Sequence, residues 1–275
     1  MNQDSTRADD LARMANDLFD AEFERRSIEP LTDSLPDLTL EDAYKIQQLN
    51  IERRLVTGEK IIGHKIGLTG KPMQEKFGVN EPDYGHLLDS MYHDESKPLD
   101  LGELIDPQVE VEPGFILGKD LAGPGLTIDD VIAATDHLVT CFEVIDSRIT
   151  NWRIKLPDTV ADNGSSSRFT LGVEKTSPDG IALEDLETLL EVDGEIVEAG
   201  NTSAILGHPA NGIVWLGNKL AEFGIVLEAG HVVLPGTCLR SFRIAGHQLA
   251  TGRIAGLGDV ALEIEGKPYS KNVGN

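Results

Sequence analysis

From residue 61 onward, glycine and proline cut the chain into short apolar runs, and this punctuation limits the possible folds more than any other feature. IIGHKIGLT, VEVEPGFIL, CFEVIDSRI, RFTLG, LLEVDGEIVEAG, HVVLPGTCL and VALEIEG are short, rich in β-branched residues and bounded by turn formers, so they read as strands. Two intervening pieces have helical spacing: TIDDVIAATDHL, and ANGIVWLGNKLAEFG with Gly224 as its C-cap. In EVDGEIVEAG an Asp-Gly pair joins two alternating runs, a hairpin signal. Many strands with few helical crossovers specify a β-rich α+β body.

Residues 1–60 have a different texture. Leu11, Met14, Ala15, Leu18 and Phe19 recur at helical spacing and predict an amphipathic helix over 5–27. SIEPLTDSLPDL is a Pro-punctuated linker. TLEDAYKIQQLNIERRLVTG then reads as a second helix, with Thr39 as N-cap and Asp42 at the third helical position. The expected organisation is a helical N-terminal part over 1–60 and a β-rich catalytic body over 61–275, without internal repeats.

An apolar fraction of 40% is enough for a core. The net charge of −23 disfavours nucleic acid and anionic membrane surfaces as partners. The charge is spread along the chain; adaptation to a salty habitat explains it better than a general solubility field, which also fits. Cys141 and Cys238 have no metal-finger spacing and read as buried free thiols. The N-terminus lacks an apolar signal core and no apolar run is long enough to span a bilayer, so a cytoplasmic protein is expected.

Three acids stand out. In VEVEP, Glu110 and Glu112 are separated by one residue, so a strand points both carboxylates the same way. A solvated edge strand explains this as well as a buried cation does. Glu143 tips the balance: it lies in CFEVIDSRI among Phe142, Val144 and Ile145, where a lone buried carboxylate is costly. Three acids on strands with few basic partners suggest Mg²⁺ or Mn²⁺. Lys65, flanked by Ile62, Ile66 and Leu68, is either a lysine on a solvated face or one whose pKa is lowered for acid–base work. Asp83 in NEPDYGHLLDSM sits in a segment with turn chemistry, as a turn acid or as a partner for a lysine or water. DTVADNGSSSRFTLG is a polar run expected to form a loop. Asp162, Asn163 and Ser165–Ser167 can order that loop themselves or meet a substrate. Arg168 is its one cation able to clamp a carboxylate, with a plain surface role as the alternative.

KIGLT, PDYG, the E-x-E pair and FEVIDSRI followed by DTVADN occur in that order. Together they resemble the 2-keto-4-pentenoate hydratase and 4-oxalocrotonate decarboxylase family, part of the fumarylacetoacetate hydrolase superfamily, over residues 35–265. The resemblance implies a β-rich roll of mixed sheets with a smaller helical N-terminal part. It implies Glu110, Glu112 and Glu143 as ligands of Mg²⁺ or Mn²⁺, Lys65 as the acid/base and Asp83 beside it. Asp162, Asn163, Ser166, Arg168 and Thr237 become candidate contacts for a small 2-oxo or 2-hydroxy dienoic acid. A homo-oligomer is implied, with a hydratase–decarboxylase complex as a further possibility. The implied reaction adds water to 2-hydroxypenta-2,4-dienoate, giving 4-hydroxy-2-oxopentanoate in meta-cleavage aromatic catabolism. The alternatives are decarboxylation of 2-oxohex-3-enedioate and a catalytically silent partner subunit. NWRIKLPDTVADN looks hydratase-like, whereas SSSRFTLG looks decarboxylase-like. The chain departs from the pattern at Pro113, where the strand is expected to end or bulge. It also departs at Gly164, where the pattern has alanine, and in LPGTCLRSFRIAGHQLATG around Thr237.

Overall fold

A computed structural model of the chain describes residues 3–268. In chain order its helices are α1 (Gln3–Glu24), α2 (Leu31–Ser34), α3 (Leu40–Val56), α4 (Lys71–Phe77), α5 (Ile128–Ala134), α6 (Leu156–Ala161) and α7 (Ala210–Ala221). The strands are β1 (Ile61–Gly67), β2 (Asp83–Leu88), β3 (Leu99–Asp100), β4 (Gln108–Leu117), β5 (Thr135–Ile145), β6 (Ser166–Leu171), β7 (Glu187–Val192), β8 (Glu195–Asn201), β9 (Val232–Leu234), β10 (Phe242–Arg243), β11 (Gln248–Ile254) and β12 (Gly258–Glu265).

The strands form two mixed sheets, giving the expected α+β architecture. One runs β2-β1-β9-β4-β5-β6, with β10 also on β4 and a parallel β1–β9 pair. The other runs β3-β12-β11-β7-β8. Period-two alternation in β4 and β5 sends Val109, Val111, Phe115, Phe142 and Val144 to one face, where they pack with Ala250, Ile254, Val260, Leu262 and Ile264 of the second sheet. Phe142 is fully buried there; truncating such a phenylalanine to alanine costs about 3–5 kcal/mol. The opposite face of β4 and β5 carries Glu110, Glu112 and Glu143.

The local signals explain the elements. The Thr39 hydroxyl accepts from the Asp42 amide and opens α3. Gly224 adopts φ +71 beyond α7, its N–H donates to Ala221 O and the Ile225 N–H to Leu220 O, a Schellman closure. Asp193 and Gly194, with φ +51 and +83, turn β7 into β8. Leu11, Met14, Ala15 and Leu18 of α1 pack with Ala43 and Ile46 of α3 and with Ile149, Val160 and Ala161. The N-terminal helices therefore brace the segment that carries the site loop. No described helix is long and apolar enough to cross a membrane.

Several local expectations change. β4 continues through Pro113, which pairs with Thr140 in unbroken register; the irregularity comes at Ile116/Leu117. By strand alternation the Pro113 nitrogen faces the side of β4 between β10 and β9, which pair only with residues 108–109 and 115–116. No ladder bond is lost there, so proline is tolerated. Helix α5 stops at Ala134 and the following Asp136-His137-Leu138 belong to β5, because Leu138 and its alternating neighbours fill the core. Asp83, Tyr84 and Gly85 form the start of β2, not a turn. The run 158–172 folds into the end of α6, a tight turn and β6. QLATGRI, not foreseen as a separate strand, is β11; Gly252 lets it approach β4, since a Cβ there would lie 3.1 Å from Val111 Cγ1.

Candidate metal centre and proton-transfer site

Glu110 on β4 faces Glu143 on β5 in the antiparallel ladder, and Glu112 faces Cys141. The three carboxylates therefore share one face, with ligand oxygens within 4.8 Å of one another. Glu112 and Glu143 are buried and Glu110 half-buried. Like charges set directly opposite on a ladder repel. Burial pushes the Glu110 carboxyl up to about 7, and the Glu143 and Asp83 charges add to the rise against the opposing Lys65. Burial, then the charges of Glu143 and Glu110, push Glu112 well above the usual carboxylate range.

Glu112 is held by the Gly236 amide, which donates to its Oε2 at 2.7 Å. Gly236 has φ +99, and a Cβ there would lie 2.1 Å from Thr69 Oγ1, so only glycine fits this contact. Glu112 Oε1 and Glu143 Oε1 have no hydrogen-bond donor among the described residues, and Glu143 Oε2 has only an ion pair with Lys65. Buried carboxylate oxygens without donors are expensive. Crowded hard-oxygen donors of this kind fit a divalent cation such as Mg²⁺ or Mn²⁺.

Lys65 on β1 enters the same space. Its Nζ lies 3.2 Å from Glu143 Oε2 and donates to the Gly164 carbonyl at 3.2 Å. Lys65 is buried, so it does not lie on a solvated face, and its pKa is not lowered as the alternative held. Burial does disfavour the ammonium, but Glu143, Glu110, Asp83 and Glu112 together outweigh it and hold Lys65 above its ordinary value. Asp83 is the diagonal neighbour of Lys65 across the β1–β2 ladder: Lys65 pairs with Gly85 and Gly67 with Asp83. The two glycines make room. A Cβ on Gly67 would lie 2.2 Å from Asp83 Oδ1, and one on Gly85 would lie 2.6 Å from the Asn163 carbonyl. Burial raises the Asp83 pKa, Lys65 opposing it and Glu143 reinforcing it, and Oδ1 has no donor among the described residues.

The other candidate residues are placed less uniformly. Asn163 donates from Nδ2 to the His86 carbonyl at 2.9 Å and accepts the His86 amide on Oδ1 at 2.8 Å, tying its turn to β2. Asp162 is buried against Arg148, whose Nε donates to Oδ1 at 2.5 Å. Ser166 is buried, with no hydrogen-bond partner for Oγ among the described residues. Thr237 Oγ1 donates to the Val111 carbonyl at 2.9 Å, beside Gly236. Arg168 is half-buried, bonded to its neighbour Ser167 and 3.4 Å from Glu103. The sequence reading passed over two groups: Arg148 and the Gly236 amide. Asp-Ser-Arg at the end of a buried strand was the available signal for Arg148, since a buried guanidinium must find several acceptors.

Comparison with known proteins follows the same outline. Residues 98–273 match the family model "Fumarylacetoacetate (FAA) hydrolase C-terminal". The chain is similar to a 2-hydroxyhexa-2,4-dienoate hydratase of Comamonas testosteroni, 43% identical over 80% of this chain and 84% of the relative. It is similar to a 2-hydroxypent-2,4-dienoate hydratase of Pseudomonas putida, 45% identical over 77% and 96%. Among solved structures, 4-oxalocrotonate decarboxylase from Pseudomonas putida G7, complexed with magnesium and adipate, superposes with a TM-score of 0.88. It is 36% identical, over 94% of this chain and 98% of that one.

Proposed function

The chain belongs to the fumarylacetoacetate hydrolase family, and on that premise we propose that it is a metal-dependent hydro-lyase that adds water to 2-hydroxypenta-2,4-dienoate. The product is 4-hydroxy-2-oxopentanoate. The observation that carries the reading is the juxtaposition of Glu110, Glu112 and Glu143 with the Lys65 ammonium.

In this reading the three glutamates hold Mg²⁺ or Mn²⁺. When bound, the cation neutralises the carboxylate cluster and draws electron density from the substrate's carboxylate and 2-oxygen. Lys65 carries the proton. Its Nζ delivers a proton to C5 and the neutral amine takes up the 2-hydroxyl proton, so the dienol becomes 2-oxopent-3-enoate and the ammonium is restored. Water then adds its oxygen at C4 and its hydrogen at C3. Asp83 Oδ1, buried and without a donor, orients Lys65 or takes the proton of that water. Asn163 and Asp162 order the turn over the lysine. In this reading Ser166, whose Oγ has no partner among the described residues, meets a substrate oxygen, and Thr237, whose Oγ1 donates to the Val111 carbonyl, braces the strand that carries Glu112. The same reading includes a homo-oligomer in the cytoplasm. Light scattering in solution tests the assembly.

One observation favours a second reaction, decarboxylation of 2-oxohex-3-enedioate: the structural likeness to the decarboxylase. Arg168, the cation of β6, would serve the second carboxylate. The deciding experiment offers both acids separately, with Mg²⁺, and identifies products by NMR and CO₂ release. The proposal expects 4-hydroxy-2-oxopentanoate from the dienoate; CO₂ from the dicarboxylate without hydration of the dienoate would replace it with the decarboxylase reading.

A further inference from the structure

The turn that touches Lys65 is held in an unusual shape. Asn163, Gly164 and Ser165 are three consecutive left-handed residues, with φ +55, +62 and +56. Asparagine tolerates this region, serine much less, and a run of three needs support from outside the turn. The turn is also tight against the lysine: a Cβ on Gly164 would lie 3.0 Å from Lys65 Cδ.

Part of that support is the Asn163–His86 pair; the rest comes from Arg148, just past the end of β5. Its side chain is buried and brackets the turn from both ends. On the near side Nε donates to Asp162 Oδ1 at 2.5 Å and Nη2 to the Asp162 carbonyl at 2.6 Å. On the far side Nη1 donates to the Ser166 carbonyl at 3.1 Å, and it also donates to the Asp146 carbonyl at 2.9 Å. The Arg148 backbone N–H adds a bond to Asp162 Oδ2 at 3.1 Å. Between the clamped ends, the Gly164 carbonyl accepts from Lys65 Nζ. A planar fork of donors can do this and a lysine ammonium cannot.

We propose that Arg148 is a positioning residue for the proton transfer at Lys65. It fixes the left-handed turn, the turn fixes the Gly164 carbonyl, and the carbonyl aims Nζ. This inference rests on the reading of Lys65 as the acid/base. Misplacing a reacting group by about an ångström costs up to about a hundredfold in rate, so the effect belongs in kcat and not in substrate or metal binding.

The test uses the Mg²⁺-loaded full chain and 2-hydroxypenta-2,4-dienoate, with wild type, Arg148→Ala, Lys65→Met and the double variant. Arg148→Ala should lower kcat about 10- to 100-fold, with KM and Mg²⁺ affinity by calorimetry within about threefold. Adding Arg148→Ala to Lys65→Met should cost nothing more, because residues acting through one another are non-additive. Guanidinium ion at tens of millimolar should restore part of the lost kcat in Arg148→Ala. A cavity of about 30 Å³ already borders Arg148, Asp162 and Ser166, and truncation enlarges it. Should Arg148→Ala fail to fold, Arg148→Lys, which keeps the charge but not the fork, carries the test and should also lose kcat at unchanged KM. Equal, additive losses in both backgrounds, or a rise in KM at unchanged kcat, would overturn the proposal. Wild type without turnover would instead remove the reading of Lys65, and this inference with it.

Discussion

Glu110 on β4 and Glu143 on β5 are directly opposed in the ladder, two carboxylates on one side-chain face with Glu112 alongside. A cation removes the cost of that arrangement. Mg²⁺ or Mn²⁺ at about a hundred times its Kd should add about 2.7 kcal/mol to stability, or about 5–10 °C in Tm for a chain of this size. Glu112→Gln keeps the acceptor for the Gly236 amide and removes one charge. It should raise the Tm of the EDTA-treated protein while abolishing most of the metal-induced shift, as read by differential scanning fluorimetry.

The metal-free centre should respond to pH with a definite sign. The Glu110 carboxyl moves from an ordinary 4.5 to about 7 in the fold, so between those values the folded chain binds more protons than the unfolded one. Metal-free stability should therefore fall as pH rises through this window. Stabilisation by Mg²⁺ should grow over the same window, because the ion displaces the proton. Calorimetry near pH 6.5 in buffers of different ionisation enthalpy should show proton release on binding; none would mean that Glu110 is not a ligand.

Lys65 is surrounded by carboxylates but is not needed to hold a cation. Lys65→Met should lower kcat by about 10²- to 10⁴-fold while the Mg²⁺ thermal shift persists. Stopped-flow decay of the dienol absorbance measures the first, and scanning fluorimetry the second.

Gly85 makes room for the Asn163 carbonyl that abuts it. Gly85→Ala should destabilise by about 1–3 kcal/mol through overpacking and should displace the turn that contacts Lys65. Its kcat loss should then exceed what the fraction unfolded explains; denaturant titration alongside kinetics separates the two.

Arg168 forms a partly exposed pair with Glu103, an arrangement worth about 0–1 kcal/mol. Arg168→Ala should leave stability and hydration of the monocarboxylate nearly unchanged. A rise of about tenfold or more in KM for 2-oxohex-3-enedioate alone, the loss of about 1.4 kcal/mol of binding, would assign Arg168 to a second substrate carboxylate.

Much of this was legible in the chain. Glycine and proline punctuation marked most of the strands, and period two put Glu110 and Glu112 on one face before any coordinates. Gly224 and the Asp193-Gly194 pair marked their closures because cap and turn geometry is local. What stayed hidden depends on distant neighbours. Pro113 is tolerated because of which side of β4 its nitrogen faces, and this depends on where β9 and β10 stop. The sign of the Lys65 shift is set by acids on β2, β4 and β5 that outweigh its apolar flanks. Asp162 read as a residue that orders its own loop or meets a substrate, because its partner, Arg148, is fixed by the tight return of the chain after β5. The glycines at 67 and 85 mark space for Asp83 and Asn163, and only the β1–β2 register reveals it.

The most direct test of the account follows 2-hydroxypenta-2,4-dienoate through one cycle of metal removal and return. Dienol absorbance is recorded with the Mg²⁺-loaded protein, after EDTA and dialysis, and after Mg²⁺ is restored. The account predicts turnover to 4-hydroxy-2-oxopentanoate, its loss with EDTA and its recovery with Mg²⁺, all absent in Glu112→Gln. Hydration that continues undiminished in the metal-free protein would contradict it.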